Sequence, residues 1–151
     1  MNLPDAYRRH VIIAPERLVL VGPGESVPLC SMESGIVFIL AKWSGQSQLA
    51  FRALNKALAQ TEGLADLPVY VADTDSAMTQ EFLSRIGETP SGGGETYWVV
   101  GGRIQHKLRG YTDKDLSSLL SFTKELAHPV LLANGDGKGD VGTERETEEA
   151  S

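Results

Sequence analysis

The chain has 151 residues, of which 41% are apolar, enough for one domain with a core and its tails but short for two. Its formal charge of -6 is concentrated near the end of the sequence, where residues 129–151 set Asp136, Asp140, Glu144, Glu146, Glu148 and Glu149 against only Lys138 and Arg145. The body carries no basic stripe able to neutralise phosphates, which argues against nucleic acid as a partner, and the single cysteine, Cys30, excludes a disulfide, a cysteine-based zinc cluster or a two-cysteine redox cycle within this sequence.

In chain order, residues 1–34 are expected to form an N-terminal strand region of the same domain. "HVIIA" and "RLVLVG" are short β-branched runs bounded by proline and glycine, which predicts one or two strands. Both are too short for a signal-peptide core or a membrane span, so the expectation is a soluble cytoplasmic protein with no membrane partner. Residues 35–128 carry the core. "GIVFILAKW", Gly35 to Trp43, is a continuous apolar run too short for a typical helix and reads as a central strand covered on both faces. From Gln46 to Gln60, Leu49/Ala50, Ala53/Leu54 and Ala57/Leu58 recur at spacings of three and four, which predicts an amphipathic helix with Ser44 or Ser47 as its cap.

"LPVYVADTD", Leu67 to Asp75, predicts a second strand whose end suits the cap of a helix carrying Met78, Phe82, Leu83 and Ile86, with Gly87 as its terminator. "ETPSGGGE" is a loop by composition. "TYWVV", Gly101-Gly102 and "RIQHKLRG" predict an antiparallel hairpin, because two successive glycines supply the positive φ of a two-residue turn. A last helix, Thr112 to Ala127, would be capped by Thr112 and bury Leu116, Leu119, Leu120, Thr123 and Leu126. Residues 129–151, with "NGDGKGDVGTERETEEAS" at their end, have too little apolar surface to offset ordering entropy and are expected to be a disordered acidic tail. Lys138 stands among the would-be ligands of "NGDGKGD", so a solvated tail is preferred to a calcium loop.

This order of elements, with Trp43-Ser44-Gly45-Gln46-Ser47 at the joint between strand and helix, resembles the thioredoxin family from about Gly35 to Leu126. The resemblance implies an α/β thioredoxin-like fold, a central mixed sheet flanked by helices. In that family a tryptophan at the strand end precedes Cys-Gly-Pro-Cys. Here Ser44 takes the place of the nucleophilic cysteine and Ser47 that of the resolving one, with Gly45 and Gln46 between them. A serine hydroxyl has no accessible anion near neutral pH without a base and forms no disulfide, so the family's reaction is not open to this chain. The family's buried carboxylate, six residues before the first cysteine, aligns with Phe38, its partner lysine with Val69, and its cis-proline with Gly94. Four losses in one functional unit favour a redox-inactive member over an oxidoreductase whose two cysteines have been exchanged for serine.

No catalytic residue, cofactor or metal is therefore expected, and the expected role is protein binding or a scaffold. The surface that redox members use on their clients corresponds to Trp43 to Ser47, Thr89 to Glu95 (with Pro90 and Gly94) and Asp73 to Asp75. Trp43 either anchors a partner or packs on the strand end. Other chemistry is weaker. Cys30 reads as a small, partly buried apolar residue rather than a one-thiol site. His10, His106 and His128 have no metal-ligand spacing. "WSGQS" is not the Gly-x-Ser-x-Gly elbow of a serine hydrolase, and as a helix N-terminus it is an ordinary cap before it is an anion site.

Overall fold

The computed structural model describes residues 2–61 and 66–127. The expected tail, the "NGDGKGD" stretch and His128 lie outside them. Nine helices and strands of the described residues form one sheet with helices on both faces. They are α1 (Asp5–Arg8), β1 (Leu18–Leu20), β2 (Ser34–Leu40), α2 (Gly45–Gln60), β3 (Val69–Asp73), α3 (Ala77–Arg85), β4 (Thr96–Val100), β5 (Arg103–Leu108) and α4 (Leu116–Ala127). The sheet order is β1-β3-β2-β4-β5, parallel on the β1-β3-β2 side and antiparallel from β2 through β4 to β5. No helix among the described residues is long and apolar enough to cross a membrane.

β2 reads as an unbroken apolar run because both of its faces are covered, and every residue from Gly35 to Leu40 is buried. Its alternate side chains serve two cores. Ile36, Phe38 and Leu40 meet Tyr7, Phe51, Leu54, Leu58, Trp98 and Leu119 under α1, α2 and α4. Val37 and Ile39 meet Phe82, Leu83, Tyr97 and Val99 on the α3 side. The hairpin turns at Gly101 (φ 59°) and Gly102 (φ 74°), as two adjacent positive angles require. Gly87 (φ 78°) closes α3. Thr112 and Asp115 form a reciprocal capping box, but on a short 3-10 turn over residues 113–115 that leads into α4.

Three expectations are corrected. "HVIIA" is not a strand: residues 10–14 are irregular, Ile12 is 56% exposed, and its backbone N–H goes to the Asn55 side chain at 3.2 Å rather than to a ladder. The N-terminal region instead supplies α1, which inserts Tyr7 into the core, and the single short strand β1. Leu49, assigned to the buried stripe of α2, is 39% exposed, because the buried face is carried by Ala50, Ala53, Leu54, Ala57 and Leu58 together with Phe51. Cys30 is exposed, on a one-turn 3-10 segment before β2.

Candidate functional site

The joint between β2 and α2 is held by two serines with different tasks. Ser44 is the N-cap of α2: its Oγ accepts the Ser47 N–H at 3.2 Å, satisfying one of the free donors of the first turn. The same hydroxyl donates across to the Gly92 carbonyl, tying the joint to the glycine loop. Ser47 points inward, is fully buried, and its Oγ accepts the Ala41 N–H at 3.1 Å just past the end of β2. The Tyr7 hydroxyl donates to the Ala41 carbonyl at 2.6 Å. Burial raises the Tyr7 pKa, the neighbouring Ser47 hydroxyl offsets part of this, and the Asp73 charge adds to it, so Tyr7 is a neutral donor.

Gln46 Nε2 donates to the Tyr111 carbonyl at 3.0 Å, and the Gly110 N–H donates to the Gly93 carbonyl at 2.7 Å. The α2 N-terminus, the glycine loop and the segment after β5 are thus tied into one surface. Trp43 lies on it, 66% exposed, with the edge of its indole over Gly92, where a Cβ would collide with the ring. Gly45 is exposed. Lys42 pairs with Asp73 at 3.1 Å, and Asp73 also accepts the Asp75 N–H at 2.9 Å.

The residues named from sequence as a recognition surface do not all reach it. Trp43, Thr89 and Pro90 are exposed, and Asp73 is half-buried beneath Lys42. Gly94 is buried and cannot present itself to a partner. Nor is Gly94 the residue that faces Ser44: that residue is Gly92, two positions earlier. At Gly94, φ is +73°, and a Cβ would stand 2.6 Å from the Ala50 Cβ and 3.3 Å from the Phe38 ring. Phe38 is fully buried against Phe51, with ring centroids 5.2 Å apart, and Val69 is fully buried between Leu18 and Ile36 in the sheet.

Chemically the joint offers two hydroxyls that are both committed to the backbone, with no histidine or carboxylate hydrogen-bonded to either among the described residues. His106 is elsewhere, bonded to Glu125 at 2.8 Å and stacked on Phe122. His10 is held below its ordinary pKa by burial, then by the charges of Arg9 and Arg52. Among the described residues no three His, Cys, Asp or Glu side chains converge as a metal site would need. Sequence reasoning missed Tyr7, which nothing in "PDAYRRH" marks as a core residue. It also missed a polar pocket beside Glu95 and Tyr97.

No family model matches the sequence, and no curated protein matches it. Solved structures do. Thioredoxin O2 from Arabidopsis thaliana in its oxidized state superposes with a TM-score of 0.57 at 14% identity, covering 72% of this chain and 95% of that one. Thioredoxin (Mala s 13) from Malassezia sympodialis gives 0.55 at 15% identity, over 78% of this chain and 98% of that one. Thioredoxin O1 from Arabidopsis thaliana gives 0.52 at 18% identity, over 69% and 95%. The fold is thioredoxin-like, and with one exposed cysteine the chain has no dithiol.

Proposed function

We propose that this chain is a non-catalytic thioredoxin-like domain that binds another protein through the surface around Trp43, or holds a partner as a scaffold. The observation that carries the reading is the pair of serines. Each hydroxyl is spent on holding backbone, so the joint is preserved as a structural element while its reaction is gone. Beside it stands an indole 66% exposed, and tryptophans are frequent interface anchors. Phe38 supports the same reading, because a phenyl ring moves no proton.

Two measurements test this. The Ser44→Cys/Ser47→Cys protein is expected to show no substantial disulfide reductase activity; activity at the level of a working thioredoxin would make the chain an oxidoreductase with exchanged cysteines. Affinity capture from the native source, followed by identification and direct titration of the retained protein, is expected to give a complex that Trp43→Ala weakens by about tenfold or more, the loss typical of an interface anchor. A retained partner that binds Trp43→Ala equally well, or no partner at all, would remove the Trp43 surface from the proposal.

A further inference from the structure

The two edges of the sheet are guarded differently. β5, at one edge, carries the exposed cations Arg103 and Lys107, and its register with β4 shifts between Trp98 and Val99. Charges and bulges of this kind keep natural edges from pairing with one another. β1, at the other edge, has neither. It reads Leu18-Val19-Leu20, bonds to β3 alone, and leaves Val19 38% exposed. The Val21 N–H donates to the Val71 carbonyl at 2.9 Å, so by alternation the backbone of Val19 also bonds toward β3. The N–H and C=O groups of Leu18 and Leu20 then point outward, with no ladder partner among the described residues. Beside this edge lies an open, mainly apolar groove of about 720 Å³ whose walls include Val11, Pro15, Leu18 and Leu20, with Arg8. Val11, Leu18 and Leu20 are half-buried and Pro15 is exposed, so the groove can be reached from solvent.

The edge is matched to a second copy of itself. Residues directly opposite in an antiparallel pair share a face of the sheet. Leu18 and Leu20 pack against the core under α1 and α2, and Val19 between them faces the other way. A two-fold axis through Val19 satisfies this for all three residues: Val19 meets Val19 of the mate, and Leu18 of each copy meets Leu20 of the other. The outward N–H and C=O groups of Leu18 and Leu20 are the ones such a pair exchanges. The charges agree. Leu18 to Val21 are uncharged, so no like charges meet, whereas β5 against itself would set cation against cation. In the same register the mate's exposed Glu16 falls near Gly22, beyond the Leu20 end of the groove that Arg8 lines. Arg8 is held only by Asp5 at 3.1 Å, an exposed pair of little energy, and has donors left for a second carboxylate.

We propose that β1 pairs with β1 of a second copy about a two-fold axis at Val19, joining two sheets edge to edge and extending each groove with the other copy's Leu18 and Leu20. The pairing does not depend on the Trp43 surface. Sedimentation equilibrium of the full chain is expected to show a monomer–dimer equilibrium below about 1 mM. Val19→Lys sets two like charges against each other at the axis and should weaken the dimer by at least about tenfold. The replaced side chain is partly exposed, and circular dichroism checks that the variant folds. Val19→Cys in a Cys30→Ser background should form a disulfide between copies when oxidised glutathione is added, because residues opposite at a non-hydrogen-bonded position stand about 4.5 Å apart at Cα, within disulfide reach. Gln105→Cys in the same background, on the guarded edge, should cross-link far more slowly. A chain that stays monomeric to about 1 mM overturns the proposal, and is the result expected if the edge takes another protein's strand instead. So does a dimer unchanged by Val19→Lys in the folded protein, or Val19→Cys cross-linking no faster than Gln105→Cys. Trp43→Ala should leave the dimer unchanged, which separates it from the partner-binding reading.

Discussion

Ser47→Ala tests whether the degenerate joint is a structural element. Ser47 Oγ is the acceptor of the Ala41 N–H, and both residues are fully buried, so no water can replace the lost oxygen. A buried donor left without a partner costs about 1–3 kcal/mol. Against this, Ser47 lies in the first turn of α2, where alanine is favoured over serine by roughly 0.5 kcal/mol at most. The net expectation is a destabilisation of about 0.5–2.5 kcal/mol, read as a lower urea midpoint with an unchanged m-value. Hydrogen exchange locates the effect: the Ala41 amide should lose protection in Ser47→Ala. Ser44→Ala, which removes the helix cap and the tie to Gly92, should cost about 1 kcal/mol. A Ser47→Ala protein as stable as its parent, with Ala41 still protected, would refute the assignment of this hydroxyl to the backbone.

Gly94→Ala should cost roughly 2–5 kcal/mol, combining a left-handed backbone with overpacking against Ala50 and Phe38. Gly101→Ala, also at positive φ but with open space around it, should cost only about 1–2 kcal/mol in the same denaturation assay. Tyr7, Tyr97 and Tyr111 all have pKa values raised in the folded state, chiefly by burial. The unfolded chain therefore releases their protons first. Their contribution is complete below the ordinary phenol value of about 10 and falls as pH rises above it, and Tyr111→Phe should flatten that decline in melts taken across the alkaline range. Asp113 is held below the usual carboxylate range by its hydrogen bond from Lys56, with Arg52 adding to it, so its contribution is present above the ordinary carboxylate pKa and is lost as pH falls. The cluster is partly exposed, so Asp113→Asn should cost less than about 1 kcal/mol, and less still in high salt.

Elements whose reason lies in local pattern could be read from the sequence. β2 announces itself because both faces are covered, α2 because its small residues repeat at helical spacing, and the hairpin because Gly101-Gly102 leaves one turn geometry. What could not be read rests on partners far along the chain. Tyr7 is fixed by the Ala41 carbonyl 34 residues away, and the Ile12 N–H of "HVIIA" is taken by the Asn55 side chain, 43 residues along the chain. At the site, Ser44 is legible as a cap, but the inward turn of Ser47 depends on where β2 stops. Counting back from the hairpin selects Gly94 over Gly92, because a run of three glycines carries no mark of register. The pocket was hidden for a similar reason. Glu95 and Tyr97 flank Thr96 in an otherwise apolar strand, and nothing in "GETYWVV" separates a buried, half-bonded carboxylate from a solvated one.

Residues around the joint pack against one another, and this bears on the proposed non-catalytic reading. Phe38, which the resemblance aligns with the family's carboxylate, has its ring 3.3 Å from where a Cβ at residue 94 would stand, and the collision there is with the Ala50 Cβ of α2, at 2.6 Å. Residue 94 must then be glycine, both for that contact and for its φ of +73°. Two positions earlier the loop meets the joint through Gly92, whose carbonyl takes the Ser44 hydroxyl and whose missing side chain makes room for Trp43. Exchanging two oxygens for sulfur at 44 and 47 would leave Phe38, Gly94 and the Trp43-covered loop in place. The shape of this surface is stabilised by contacts that a proline at residue 94 and a carboxylate at residue 38 would break.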